Sequence, residues 1–154
     1  MSMSSSFVYG YGFACDFEVK KFIEFVKSHR DTFRRSLEEA EMYDKLIAFT
    51  GDENEDDLDD LFGDCKPDGC GWCGVGAVIA NIMYRETNIG FSFCIADGDC
   101  DTPASIVFEK TYPWWYNETE KNLTERQLCE ICLKYMDELG IKGAPRYLNL
   151  EYWG

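Results

Sequence analysis

The stretch Cys70–Ala96, CGWCGVGAVIANIMYRETNIGFSFCIA, decides how this chain folds. Val75, Val78, Ile79, Ile82 and Met83 recur at i, i+3, i+4, i+7 and i+8, which puts them on one face of a helix. The opposite face carries Gly76, Ala77 and Ala80, small enough for another backbone to come close. A helix apolar on one side and small on the other is expected to lie buried between two neighbours. Beyond Asn88-Ile89-Gly90, the run Phe91–Ala96 carries no charge on either face and reads as a central strand.

Toward the N-terminus, Phe7, Tyr9, Tyr11 and Phe13 alternate with Val8, Gly10, Gly12 and Ala14. That is the pattern of a strand with one aromatic and one small face. The glycine face is expected to receive the small face of the central helix. Residues 1–6, MSMSSS, read as a disordered start, leaving 7–154 as one domain. Asp16 is placed to cap a helix running to about Ser28, with Val19, Phe22, Ile23 and Val26 inward. His29, the only histidine, would end it as a surface residue favoured by the helix dipole. Asp31 or Thr32 then caps a second helix with Phe33, Leu37, Ala40 and Ile47 on one side, stopped by Gly51.

Toward the C-terminus, Ala96–Asp101 turns tightly and Ser105–Glu109 returns as the second arm of a hairpin. Tyr112-Pro-Trp-Trp-Tyr116 follows as an aromatic loop. Thr124 and Gln127 form a capping box for a helix to Leu139, ended by Gly140; its stripe is Leu128, Ile131, Cys132, Tyr135, Met136 and Leu139. Arg146–Trp153 is a last strand, with Leu148, Leu150 and Tyr152 assigned to the core side. Strands and helices mix without regular alternation. The expected fold is therefore a single α+β domain: about four mostly antiparallel strands, a central buried helix and three further helices, mainly on one face.

Charge bounds the function. With 29 acids against 15 bases the chain carries −14, and such a surface repels nucleic acid and anionic membrane, because phosphate binding needs Lys and Arg to displace counterions. No run reaches the ~18 apolar residues of a membrane span. Without a leader sequence the expectation is a cytosolic protein with reduced thiols rather than a disulfide framework. Eleven of the acids fall in two short stretches: Asp52, Glu53, Glu55, Asp56, Asp57, Asp59, Asp60 and Asp64, then Asp97, Asp99 and Asp101. Leu58, Leu61 and Phe62, at i, i+3 and i+4, would pin a short helix and point the neighbouring aspartates outward. Such an array imitates phosphates, so the expected partner is a basic protein, a nuclease or another nucleic-acid-binding protein. Trp114 and Trp115 are adjacent, so in an extended segment at most one faces the core, and an exposed one is suited to anchor an interface. In size and acidity the chain resembles phage-encoded inhibitors of host nucleases, anti-CRISPR proteins among them. The likeness is one of composition, with no residue motif behind it; it implies an anti-defence inhibitor rather than an enzyme.

The alternative reading rests on cysteine. Cys65, Cys70, Cys73 and Cys100 have loop spacings that would suit zinc. Cys70-Gly-Trp-Cys73 also opens a helix, where a redox thiol would sit, although Asp64 and Asp68 oppose its ionisation. A second CxxC, Cys129 and Cys132, fits a buried helical stripe instead. Asp97-Gly-Asp-Cys-Asp101 begins like a calcium loop but has Thr102 where glycine is required and Phe108 where a bidentate Glu is required. A hydrolase would need Cys70 or Cys73 with His29, and no third group orients them. No cofactor is expected, and the sequence leaves the oligomeric state open.

Overall fold

The alternation at residues 7–13 becomes strand β1, Ser5–Ala14, in a computed structural model that describes residues 5–15, 17–39, 56, 75–94 and 105–153. The other strands are β2 (Phe91–Cys94), β3 (Ser105–Glu109) and β4 (Arg146–Trp153), giving one antiparallel sheet in the order β2-β3-β1-β4. Among the described residues, the helices with defined bounds are α1 (Val19–Ser28), α2 (Arg30–Glu39), α3 (Val75–Thr87), the single-turn α4 (Glu118–Lys121) and α5 (Glu125–Glu138). This is a single α+β domain.

Register settles which residues share a face. Tyr11 lies opposite Phe108 and Tyr147, Phe13 opposite Ile106, and Ile106 and Phe108 opposite Phe93 and Phe91. That face meets the helices, and Tyr11, Phe13, Ile106 and Phe91 are buried with Phe22, Phe25, Phe33, Leu37, Ile79, Ile82, Met83, Tyr135 and Leu139. Each such side chain contributes about 1.5–3 kcal/mol by leaving water.

The helices form where the apolar spacing placed them. Phe33 and Leu37 on α2 and Leu128, Cys132, Tyr135 and Met136 on α5 are buried. Thr124 caps α5 as a reciprocal box with Gln127, and Gly140 takes φ +69° just past its end, a conformation that favours glycine. α2 begins immediately after His29, so Asp31 sits in its first turn instead of capping it. Asp16, the expected cap of α1, lies outside the described residues, as do 40–51.

Three expectations about packing are corrected. α3 does not lay its small face on Gly10 and Gly12: it packs on β2 and α2, and Gly76 is small because a Cβ there would run into the Phe93 ring. Gly10 and Gly12 answer a different need, since side chains there would strike the backbone of β3, at the carbonyl oxygens of Phe108 and Ile106. The uncharged run after Gly90 is not central either. β2 is a four-residue edge strand, shielded because α3 covers it. Finally, Tyr147, not Leu148, shares the helix-covered face, stacking on Tyr9 at 5.4 Å and meeting Tyr11 edge-on at 5.1 Å. Aliphatic residues alternate there with a large amphipathic ring, so either set passes for the inner one, and Val107, on the face that Leu148 shares, is fully buried as well.

Candidate functional site

Two clusters of aromatic and polar groups stand out, one closed and one open. The closed cluster gathers around His29. Its ring packs on Phe25 at 4.4 Å, Nδ1 lies 2.7 Å from Glu86 on α3, and Nε2 lies 3.1 Å from Glu138 on α5. The Tyr135 hydroxyl donates to the other oxygen of Glu86 at 2.6 Å. The side chain is 9% exposed, not the surface residue expected at a helix end. Burial, followed by the hydrogen bond to Glu86, pushes the Tyr135 phenol up. With both nitrogens engaged, His29 has none left to serve a nucleophile, and it ties α1, α3 and α5 together instead.

The open cluster is the aromatic loop. Pro113–Trp115 forms one turn of 3-10 helix. Trp114 and Trp115 are 69% and 70% exposed and Tyr112 58%, so neither tryptophan caps the core. The rings order one another: Tyr112 stacks on Trp114 at 4.7 Å with planes 9° apart, and Trp115 meets Tyr112 edge-on at 5.7 Å.

Both ends of the turn are held. On the entry side the Tyr116 hydroxyl accepts from the Thr111 N–H at 2.9 Å and donates to the Glu109 carbonyl at 3.3 Å, while its ring lies 5.3 Å from Phe108. On the exit side Asn117 caps α4 in a reciprocal box with Glu120. Asn117 also donates to the Asn88 carbonyl at 2.9 Å, Asn88 donates to Thr119 at 3.0 Å, and Glu120 accepts from the Gly90 N–H at 2.8 Å. Asn88 adopts φ +61° to make this turn. These bonds fasten the aromatic turn to the α3–β2 connection, so its rings are presented from a fixed base.

Beside Tyr116 lies a pocket of about 140 Å³. Tyr11, Phe108, Tyr116 and Tyr147 contribute aromatic walls, and Lys110 and Glu125 contribute the charge. It is large enough for one side chain of a partner and too small to enclose a drug-sized ligand.

Of the other site expectations, Asp56 is described, and it is helical and exposed. Asp52, Glu53, Glu55, Asp57, Asp59, Asp60, Asp64, Asp97, Asp99 and Asp101 lie outside the described residues, as do Cys65, Cys70, Cys73 and Cys100. Among the described residues no group of three or more His, Cys, Asp or Glu side chains is placed to hold a metal ion. Cys15, Cys94, Cys129 and Cys132 are free thiols. Burial pushes Cys15 up to about 12; burial and then the neighbouring Cys129 push Cys132 up to about 12. Thiols held protonated in this way are neither nucleophiles nor ready ligands. Sequence reasoning missed the His29 clamp because its carboxylates come from positions 57 and 109 residues away.

The chain matches no protein-family model, no curated protein and no solved structure.

Proposed function

We propose that this protein is a binding module that occupies a basic surface of a partner protein, with the Tyr112–Trp115 turn as its anchor. The observation that carries the reading is the exposure of both tryptophans on a turn fastened at each end. Burying a large aromatic ring gains about 1.5–3 kcal/mol, so two left in water represent unused binding energy on a pre-ordered support. Exposed Trp and Tyr dominate interface hot spots for that reason.

The net charge of −14 supplies the other half of the argument. A partner drawn to this molecule at long range is basic, and surfaces of that kind are built to bind nucleic acid. In this reading the carboxylates of Asp52, Glu53, Glu55, Asp56, Asp57, Asp59, Asp60 and Asp64, with Asp97, Asp99 and Asp101, stand in for phosphates, and the aromatic turn supplies short-range grip. Inhibition follows by occupation: a nuclease whose nucleic-acid channel is filled by acidic protein cannot admit its substrate.

Pull-down against a panel of basic nucleases at rising salt tests this. Binding that weakens steadily with salt is the expected result. Absence of binding across the panel, or binding indifferent to salt, overturns the reading.

A further inference from the structure

The two edges of the sheet are unlike. Among the described residues β2 has four, Phe91–Cys94, a short edge of the kind natural sheets use to keep another strand from pairing. β4 has eight and, among the described residues, a single strand neighbour, β1. Its sequence, RYLNLEYW, has no Pro and no Lys, and its two charges, Arg146 and Glu151, are of opposite sign. There is no bulge either, since the register with β1 runs unbroken from Ser5–Trp153 to Gly12–Arg146.

The direction of its free backbone groups follows from one hydrogen bond. The Lys110 N–H donates to the Tyr9 carbonyl at 2.8 Å, in register with the β1–β3 ladder. Tyr9 therefore turns its backbone groups toward β3, and its β4 neighbour Asn149 is in a non-hydrogen-bonded pair. Alternation along β4 then points the N–H and C=O groups of Tyr147, Asn149 and Glu151 outward, away from β1.

We propose that β4 pairs with β4 of a second copy of this chain, antiparallel about a two-fold axis at Asn149, joining two sheets into one of eight strands. The charge pattern favours this occupant over a basic peptide. In a molecule of −14, the strand carries one Arg and one Glu and is itself neutral. The two-fold register sets Asn149 across from its own counterpart, Glu151 across from Tyr147, and Arg146 across from Tyr152. No like charges face one another, and the outward groups of Tyr147, Asn149 and Glu151 find partners in the second copy. This proposal is independent of the reading of the aromatic turn.

Mass measurement by light scattering across a concentration series tests it, on the full chain and on Asn149→Pro. Proline there deletes one outward N–H and leaves the β1 ladder untouched, as edge strands tolerate. The expected result is twice the chain mass for the wild type at high concentration and loss of the dimer in Asn149→Pro, with an unchanged circular dichroism spectrum. A wild type that stays monomeric throughout, or an Asn149→Pro dimer as tight as the wild type, overturns it. If Asn149→Pro fails to fold, oxidative cross-linking decides. Asn149→Cys should cross-link above the wild-type background, because paired Cα atoms sit at about 5.5 Å, within disulfide reach, whereas Tyr147→Cys falls out of register with itself and should not. Equal cross-linking by both, or by neither, contradicts the proposal.

Discussion

The His29 cluster and the Tyr112–Trp115 turn are built from similar materials and put to opposite uses. Around His29 the polar groups engage one another: two half-buried carboxylates, an imidazole and a phenol meet between three helices. In the aromatic turn the polar groups serve only to hold the backbone, and the large apolar rings are left in water. Residues that usually do chemistry have become structure, while residues that usually make structure are displayed. The proposed role of the turn in recognition rests on that difference.

Raising the pH strikes the inner set hardest. Cys15 and Cys132 ionise near 9 when unfolded and near 12 when folded, and burial pushes the phenols of Tyr11 and Tyr135 up as well. Above pH 9 the unfolded chain has released thiol protons that the native chain retains, so their contribution is complete below pH 9 and lost as pH climbs toward 12. Thermal midpoints recorded at stepped alkaline pH should fall across that window; a flat profile contradicts the buried thiols.

Phe25→Ala is expected to cost about 3–5 kcal/mol, because this fully buried ring lies under the imidazole and its loss leaves a cavity. His29→Gln should cost about 1–3 kcal/mol in urea unfolding, since an amide can satisfy at most part of two carboxylates that sit 26% and 33% exposed. A cost as small as that of an ordinary surface substitution would mean the clamp is decorative. At the other end of the scale, Trp114→Ala and Trp115→Ala should each move stability by no more than about 0.5 kcal/mol, as exposed positions do. A loss of several kcal/mol would show that the tryptophans belong to the core after all.

How much of this was legible follows the range of the interactions. Thr124 to Gly140 could be read from sequence almost residue by residue, because a capping box, a helical stripe and a terminal glycine are all local signals. The antiparallel pairing of the uncharged run that begins at Phe91 with Ser105–Glu109 was equally plain. Gly76 was expected to meet the backbone of Gly10 and Gly12 and instead meets the Phe93 ring, because no periodicity names a contact across the fold. His29 was misjudged for the same reason. At residues 113–115 the sequence announced two adjacent tryptophans and left open which faced inward; the answer, that neither does, depends on Tyr116 and Asn117 holding the turn away from the core.

The central claim is that displayed rings and net charge act together on a basic partner. Isothermal titration of the wild type and the Trp114→Ala/Trp115→Ala double variant against a panel of basic nucleases, each at low and high salt, tests it most directly. The account predicts a panel member whose affinity for the wild type falls with salt. The double variant should bind that protein about 30-fold or more weakly, a loss of about 2 kcal/mol, with the same salt dependence. Equal affinity of the two proteins, or no binding anywhere on the panel, contradicts it.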